Sequence, residues 1–167
     1  MDFTLDKYSA LLDALKAYPF ESLTLRHDVD LKPQNSLRTA KMEAEKGLYG
    51  IFYFRAVPES WDEAIIREIA SLGHEIGYHY ESLTTCKGDV DKAYEDFCKN
   101  LEALRRIVPV RSISMHGSPH SKESHGHRPS STLESFRPGL VQGTISAERK
   151  KHLKKSHRFS FNAKLLN

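Results

Sequence analysis

Two aspartates, Asp28 and Asp30, form the first pattern in the sequence that could do chemistry. On an extended strand, residues two apart project to one face, which puts these carboxylates about 6.5 Å apart along it. Two carboxylates this close disfavour joint ionisation unless a positive group neutralises them. The pair therefore predicts that one carboxylate binds a metal ion while the other acts as a base. The competing interpretation is that both acids cap the helix that begins near Pro33.

Two histidines supply partners for these acids, because His79 and His116 each lie at the end of a predicted strand. Neighbouring parallel strands lie about 4.8 Å apart, so side chains at their ends can converge. A set of carboxylate and imidazole ligands suits Zn²⁺ and other divalent transition metals. His74 lies about 16 Å from His79 along the same strand, and we expect it to have a structural role. Arg55, at the end of another strand, is a candidate contact for an anion.

The elements that must position these residues alternate along the chain. Strands are predicted at residues 22–29, 49–55, 75–79 and 110–115. Helices are predicted to begin at the N-caps Thr4, Ser60 (with Glu63 in a capping box) and Asp89, and a further helix begins near Pro33. Short buried strands that alternate with helices imply parallel pairing, and hence an α/β sheet or barrel. In such folds the chemistry lies where strands end and helices begin. The candidate residues fall at these ends.

The composition changes near residue 119. Residues 120–167 contain ten lysines and arginines against three glutamates, many serines and few periodic apolar positions. Segments of this kind bury too little apolar surface to fold alone. We predict an α/β domain at residues 1–119 and a basic, Ser-rich, disordered tail at residues 120–167.

No apolar stretch approaches the roughly 18 residues of a membrane helix. The N-terminus has neither the basic start nor the apolar run of a signal peptide. We therefore expect a cytoplasmic protein without a membrane span. The oligomeric state cannot be predicted from these patterns.

Three motifs resemble those of a known family. The motifs RHDVD at residues 26–30, GHEIGYH at 73–79 and MHGSP at 115–119 are similar to those of the polysaccharide deacetylases. These proteins carry the nodulation-protein-B homology domain and form carbohydrate esterase family 4. The resemblance covers residues 22–119 and is greatest to the deacetylase-like proteins of bacterial lipopolysaccharide and other surface-polysaccharide biosynthesis.

The resemblance implies a distorted (β/α) barrel, of which about four βα units are visible, so the barrel is expected to be incomplete. By position, Asp28 becomes the general base, and Asp30 and His79 become metal ligands. The family has a further histidine where this chain has Leu83. We predict that His116 replaces it. Glu81 is the alternative third ligand.

The function predicted in this way is a hydrolase that depends on a divalent metal, zinc in the first instance. Its substrate is an N-acetylated sugar or polysaccharide precursor of surface-polysaccharide (lipopolysaccharide) biosynthesis, from which it removes an acetyl group. One alternative is a truncated, non-catalytic remnant of such an enzyme. Another is a glycosyltransferase whose Asp-Val-Asp motif binds a metal and a nucleotide sugar. The basic tail could bind nucleic acid or an anionic membrane, but it has no recognisable motif, and we expect no nucleic-acid partner.

Overall fold

The structure, a computed structural model, describes residues 4–18 and 23–117, and of residues 159–162 the backbone alone. From the first helix to the fourth strand, helices and strands alternate as the sequence predicts, except that a short helix that was not predicted precedes the longest one. The elements are α1 (Leu5–Ala17), β1 (Leu23–Val29), α2 (Pro33–Glu45), β2 (Gly50–Phe54), α3 (Glu63–Ser71), β3 (Glu75–Tyr80), α4 (Ser82–Thr85), α5 (Val90–Ile107), β4 (Val110–Met115) and β5 (Phe159–Asn162).

The strands form one sheet in the order β4-β3-β2-β1-β5, and every neighbouring pair is parallel. The predicted α/β fold with a parallel sheet is therefore confirmed. No strand was predicted at residues 159–162, whose backbone pairs with Leu23 to Arg26 of β1. The remainder of the predicted tail, and thus the prediction that it is disordered, lies outside the described residues. Among the described helices, none is long and apolar enough to cross a membrane.

Alternation along the strands separates two faces of the sheet. In β1, Leu25, His27 and Val29 are buried against helices, while Arg26 and Asp28 point to the opposite face. The core between the sheet and helices α2, α3 and α5 contains these fully or almost fully buried side chains: Val29, Phe52, Phe54, Ile66, Ile69, Ile76, Tyr78 and Leu104. Helix α1 packs separately, through Tyr8 and Leu12 on Leu25.

The sheet is curved around the face that carries Arg26 and Asp28, called here the inner face. Arg26 of β1 donates a hydrogen bond of 2.5 Å to Ser114 of β4, although β2 and β3 lie between these strands. In a flat sheet, strands three apart would be separated by about 14 Å, which exceeds the reach of the two side chains. The curvature brings the end of β1 towards the end of β4.

The helix N-caps predicted at Thr4 and Asp89 are confirmed, because both side chains accept backbone N–H groups of the first turn. The N-cap predicted at Ser60 is wrong. Helix α3 begins after Asp62, whose carboxylate accepts the N–H of Ile65 at 3.1 Å. Ser60 is instead fully buried between the ends of β1 and β2.

Candidate metal centre

The predicted ligands Asp30, His79 and His116 come from the ends of three strands. Asp30 directly follows β1, His79 is the penultimate residue of β3, and His116 directly follows β4. Their ligand atoms lie within 4.8 Å of one another. Asp30 Oδ1 is 3.2 Å from His116 Nδ1 and 3.8 Å from His79 Nε2. The two imidazole nitrogens are 3.2 Å apart.

These distances suit a single metal ion. With bonds of about 2.0–2.1 Å and tetrahedral angles, two ligand atoms of one zinc ion lie about 3.3 Å apart. Asp30 Oδ1 is buried and makes no hydrogen bond within the described part of the chain. A buried acceptor of this kind normally has a partner. A cation held by the three side chains would supply it.

The orientation of His79 also fits metal binding. Its Nδ1 lies 3.1 Å from the carbonyl oxygen of Ser114, so Nδ1–H donates there and the lone pair of Nε2 faces Asp30 and His116. Metal-binding histidines commonly have such a partner on the other ring nitrogen. Burial lowers the pKa of His79, and this effect exceeds the opposing effect of the Asp28 carboxylate. The lowered pKa favours the neutral imidazole, which is the form that binds metals.

Asp28, the predicted base, lies beside the three ligands and is held by a different partner. Its Oδ1 accepts a hydrogen bond of 2.9 Å from Arg26 Nε. Its Oδ2 is 3.9 Å from His79 Nε2. One carboxylate oxygen is thus fixed, while the other faces the metal centre.

Gly77 and Tyr53 form the floor beneath Arg26. A Cβ atom on Gly77 would lie 2.4 Å from two carbons of the Tyr53 ring, so the ring can lie against β3 only because residue 77 is a glycine. The Arg26 guanidinium lies 4.8 Å above the centre of the same ring. This cation–π contact directs Arg26 across the inner face towards Ser114 and Asp28.

Glu81, the alternative third ligand, is not among the grouped ligand atoms of the described residues. Both of its carboxylate oxygens accept hydrogen bonds from Arg55 NH2, at 2.7 and 2.9 Å. Arg55, the candidate anion contact, is therefore paired with a carboxylate of the chain itself.

A buried polar cluster on the opposite, helix-facing side of the sheet was not predicted. Glu43 is fully buried. It accepts a hydrogen bond from the Tyr8 hydroxyl, and its Oε1 lies 2.7 Å from His27 Nε2. His74 Nδ1 is 3.7 Å from the other carboxylate oxygen. His27 therefore points away from the metal centre, although it directly precedes Asp28. His74 contacts the same buried glutamate, as expected for a histidine with a structural role.

Helical spacing could have indicated Glu43, because it lies four residues after the buried Thr39 and three after the buried Ala40. Burial raises the pKa of Tyr8, and the neighbouring Glu43 raises it further. The cluster joins α1, α2 and β1, and it takes no part in the metal centre.

Comparison of the chain with protein-family models, with curated proteins and with solved structures found no match.

Proposed function

We propose that the chain is a metal-dependent hydrolase that removes an acetyl group from an N-acetylated sugar. The observation that supports a hydrolase is the convergence of Asp30, His79 and His116 next to a fourth side chain, Asp28, which has its own partner. The substrate, a sugar or polysaccharide precursor of surface-polysaccharide biosynthesis, is proposed from the resemblance of the three motifs. The same resemblance supports a barrel of deacetylase type, of which the parallel sheet would form part.

Zinc is the metal that we assign to Asp30, His79 and His116, because one carboxylate and two imidazoles leave a position open in a tetrahedral site. When bound with an open position, such a metal lowers the pKa of water and polarises a carbonyl group. Both effects serve the hydrolysis of an amide.

The residues around the metal position have three separate roles: to accept a proton, to hold the base and to orient a ligand. Asp28 accepts the proton of the attacking water through Oδ2, which faces His79, while Arg26 holds Oδ1. The Ser114 carbonyl keeps the proton of His79 on Nδ1 and so keeps Nε2 free for the metal. Arg26 also binds the Ser114 side chain, so a single arginine connects the base to the residue that orients a ligand.

The test is to measure the zinc content of the purified full chain and the release of acetate from N-acetylated hexosamines, their nucleotide-linked forms and their oligosaccharides. The wild type is expected to contain one zinc ion per chain and to release acetate from one of these classes. Asp30→Asn should lose both properties. Asp91→Asn, on an exposed position of α5, is the matched control and should keep both. A folded wild type without stoichiometric metal, or acetate release that persists after chelation, would contradict the proposal.

A further inference from the structure

An ion pair of Arg55 and Glu81 lies next to the metal centre and is used by none of the steps above. Arg55 directly follows β2, and Glu81 directly follows β3. The Nε and NH2 groups of Arg55 donate to the Glu81 carboxylate at 2.7–3.1 Å. The two side chains are only 18% and 19% exposed. The pair is therefore geometrically fixed and largely shielded from water, unlike most surface salt bridges.

The third nitrogen of the guanidinium reaches the backbone of a metal ligand. Arg55 NH1 donates to the carbonyl oxygen of Asp30 at 3.3 Å. The backbone N–H of Arg55 donates to Ser60 Oγ, and the Ser60 hydroxyl donates to the carbonyl oxygen of Val29 at 2.5 Å. Residue 55 thus binds the carbonyl groups on both sides of the Asp30 Cα atom, one directly and one through Ser60.

Asp30 needs such support because the pairing between β1 and β2 ends at Val29. Its backbone lies beyond the sheet, where no ladder hydrogen bond fixes it. A carboxylate must be held within about 0.5 Å to form a well-defined metal site, and this requires partners that fix the ligand residue itself.

We infer that Arg55, oriented by Glu81, is a positioning residue that fixes Asp30 for metal binding. The inference rests on the metal site of the proposed function. It assigns to Glu81 the role of orienting Arg55, not that of a ligand, because both of its carboxylate oxygens accept hydrogen bonds from the guanidinium. Withdrawal of Glu81 to a metal would leave the largely buried charge of Arg55 without its partner, which is strongly unfavourable.

The experiment measures the affinity of the metal-free full chain for Zn²⁺, by competition with a chromogenic chelator. Removal of partners that orient metal ligands commonly lowers metal affinity about 10–100-fold, and we expect a loss in this range for Arg55→Met. Glu81→Gln should lose less. Arg55→Lys keeps the charge but cannot bind Glu81 and the Asp30 carbonyl together in the same geometry, so an intermediate loss is expected; this variant also serves if Arg55→Met fails to fold.

Two further measurements distinguish positioning from ligation and from general destabilisation. In an Arg55→Met background, Glu81→Gln should cause no further loss of Zn²⁺ affinity, because the role of Glu81 depends on Arg55. An equal loss in both backgrounds would make Glu81 a ligand and overturn the inference. With Co²⁺, Arg55→Met should change the visible absorption spectrum, whereas Ile66→Val, a core substitution away from the site, should leave it unchanged.

The outcomes separate this inference from the proposed function. A wild type that binds no Zn²⁺ or Co²⁺ stoichiometrically overturns both. A wild type that binds metal, with unchanged affinity and spectrum in Arg55→Met, overturns the inference and leaves the proposed function standing.

Discussion

Asp28 and Asp30 are separated by one residue, share a face of the chain and have different surroundings. Arg26 binds one oxygen of Asp28, whereas Asp30 Oδ1 lies between two histidine nitrogens without a hydrogen bond of its own among the described residues. A positive side chain thus compensates one carboxylate, whereas the other faces two histidine nitrogens, an arrangement into which a bound cation would fit. This difference supports one base and one ligand over two equivalent ligands.

The two carboxylates should therefore respond differently to the same substitution. Asp28→Asn is expected to retain one zinc ion per chain and to lose about 10²–10⁴-fold in acetate release, the usual contribution of a general base. Asp30→Asn should lose the metal. Metal analysis and acetate release, measured on the same preparations, give the comparison. Loss of zinc from Asp28→Asn would mean that Asp28 is also a ligand.

Gly77 can be tested by a substitution that adds only one carbon atom. In Gly77→Ala the new Cβ would meet the Tyr53 ring at 2.4 Å. Overpacking of this kind costs about 1–3 kcal/mol of unfolding free energy, measurable by urea denaturation of the metal-free protein. Gly117→Ala is the control, since nothing lies within 4 Å of its Cβ position among the described residues. The Cβ would also lie 3.1 Å from Ser112 Oγ, so Tyr53→Ala should remove most, but not all, of the cost of Gly77→Ala. An undiminished cost would refute the clash with the ring.

Strand ends were the part of the site most accessible from the sequence. Asp30, His79 and His116 could be placed because each follows or ends an apolar segment, and the carboxyl ends of parallel strands share one edge. The partners of these residues could not be placed. The Arg26–Ser114 contact depends on sheet curvature, and Ser60 resembled a helix cap because its spacing to Glu63 fits a capping box. Ser60 is buried because its hydroxyl binds backbone groups at the ends of both β1 and β2, which becomes visible only when the two strands are paired.

At the scale of elements, α1, α2 and β1 are joined by polar groups as well as apolar ones. Tyr8 on α1 and His27 on β1 both contact Glu43 on α2, in the interior of the protein. His74, which directly precedes β3, completes the cluster. Its Nδ1 accepts the N–H of Gly50, and its Nε2–H donates to the carbonyl oxygen of Ala40 at 2.9 Å. Nδ1 accepts a hydrogen bond, so a second proton on this ring would break the bond from the Gly50 N–H in the folded state.

This arrangement makes folding stability sensitive to acid. Burial lowers the pKa of His74 in the folded state, while the unfolded chain has the ordinary value of about 6.5. Below that pH the unfolded state binds a proton that the folded state does not, so stability falls as the pH decreases from about 6.5 towards the lowered pKa, and this contribution is constant above that range. The slope for one such group is at most about 1.4 kcal/mol per pH unit.

Urea denaturation of the metal-free protein between pH 5 and pH 8 would measure this slope. His74→Gln, which keeps an amide acceptor and donor but does not titrate, should flatten the profile. Some slope should remain, because the pKa of His79 is also lowered. Identical profiles for the wild type and His74→Gln would show that His74 can take up a proton without loss of structure.

At the scale of the whole molecule, β5 changes the position of the sheet edge. Four strands could be predicted because their apolar residues stand out, whereas the segment FSFN at residues 159–162 is short and surrounded by basic and polar residues. Its pairing to β1 joins positions more than 130 residues apart, a separation at which local sequence patterns carry no information on contacts. The backbone of these four residues covers the side of β1 that faces away from β2.

Removal of β5 should expose that edge. We expect a chain that ends at residue 158 to show faster amide hydrogen exchange in residues 23–26, which pair with β5, than in residues 51–54 of β2, which lies between β1 and β3. An uncovered strand edge also favours pairing with another chain, so self-association should increase in sedimentation measurements. A chain that ends at residue 162 keeps β5 and serves as the matched control. Equal protection of residues 23–26 in both truncated chains would mean that β5 contributes nothing to the stability of β1, and the sheet edge would then lie at β1 itself.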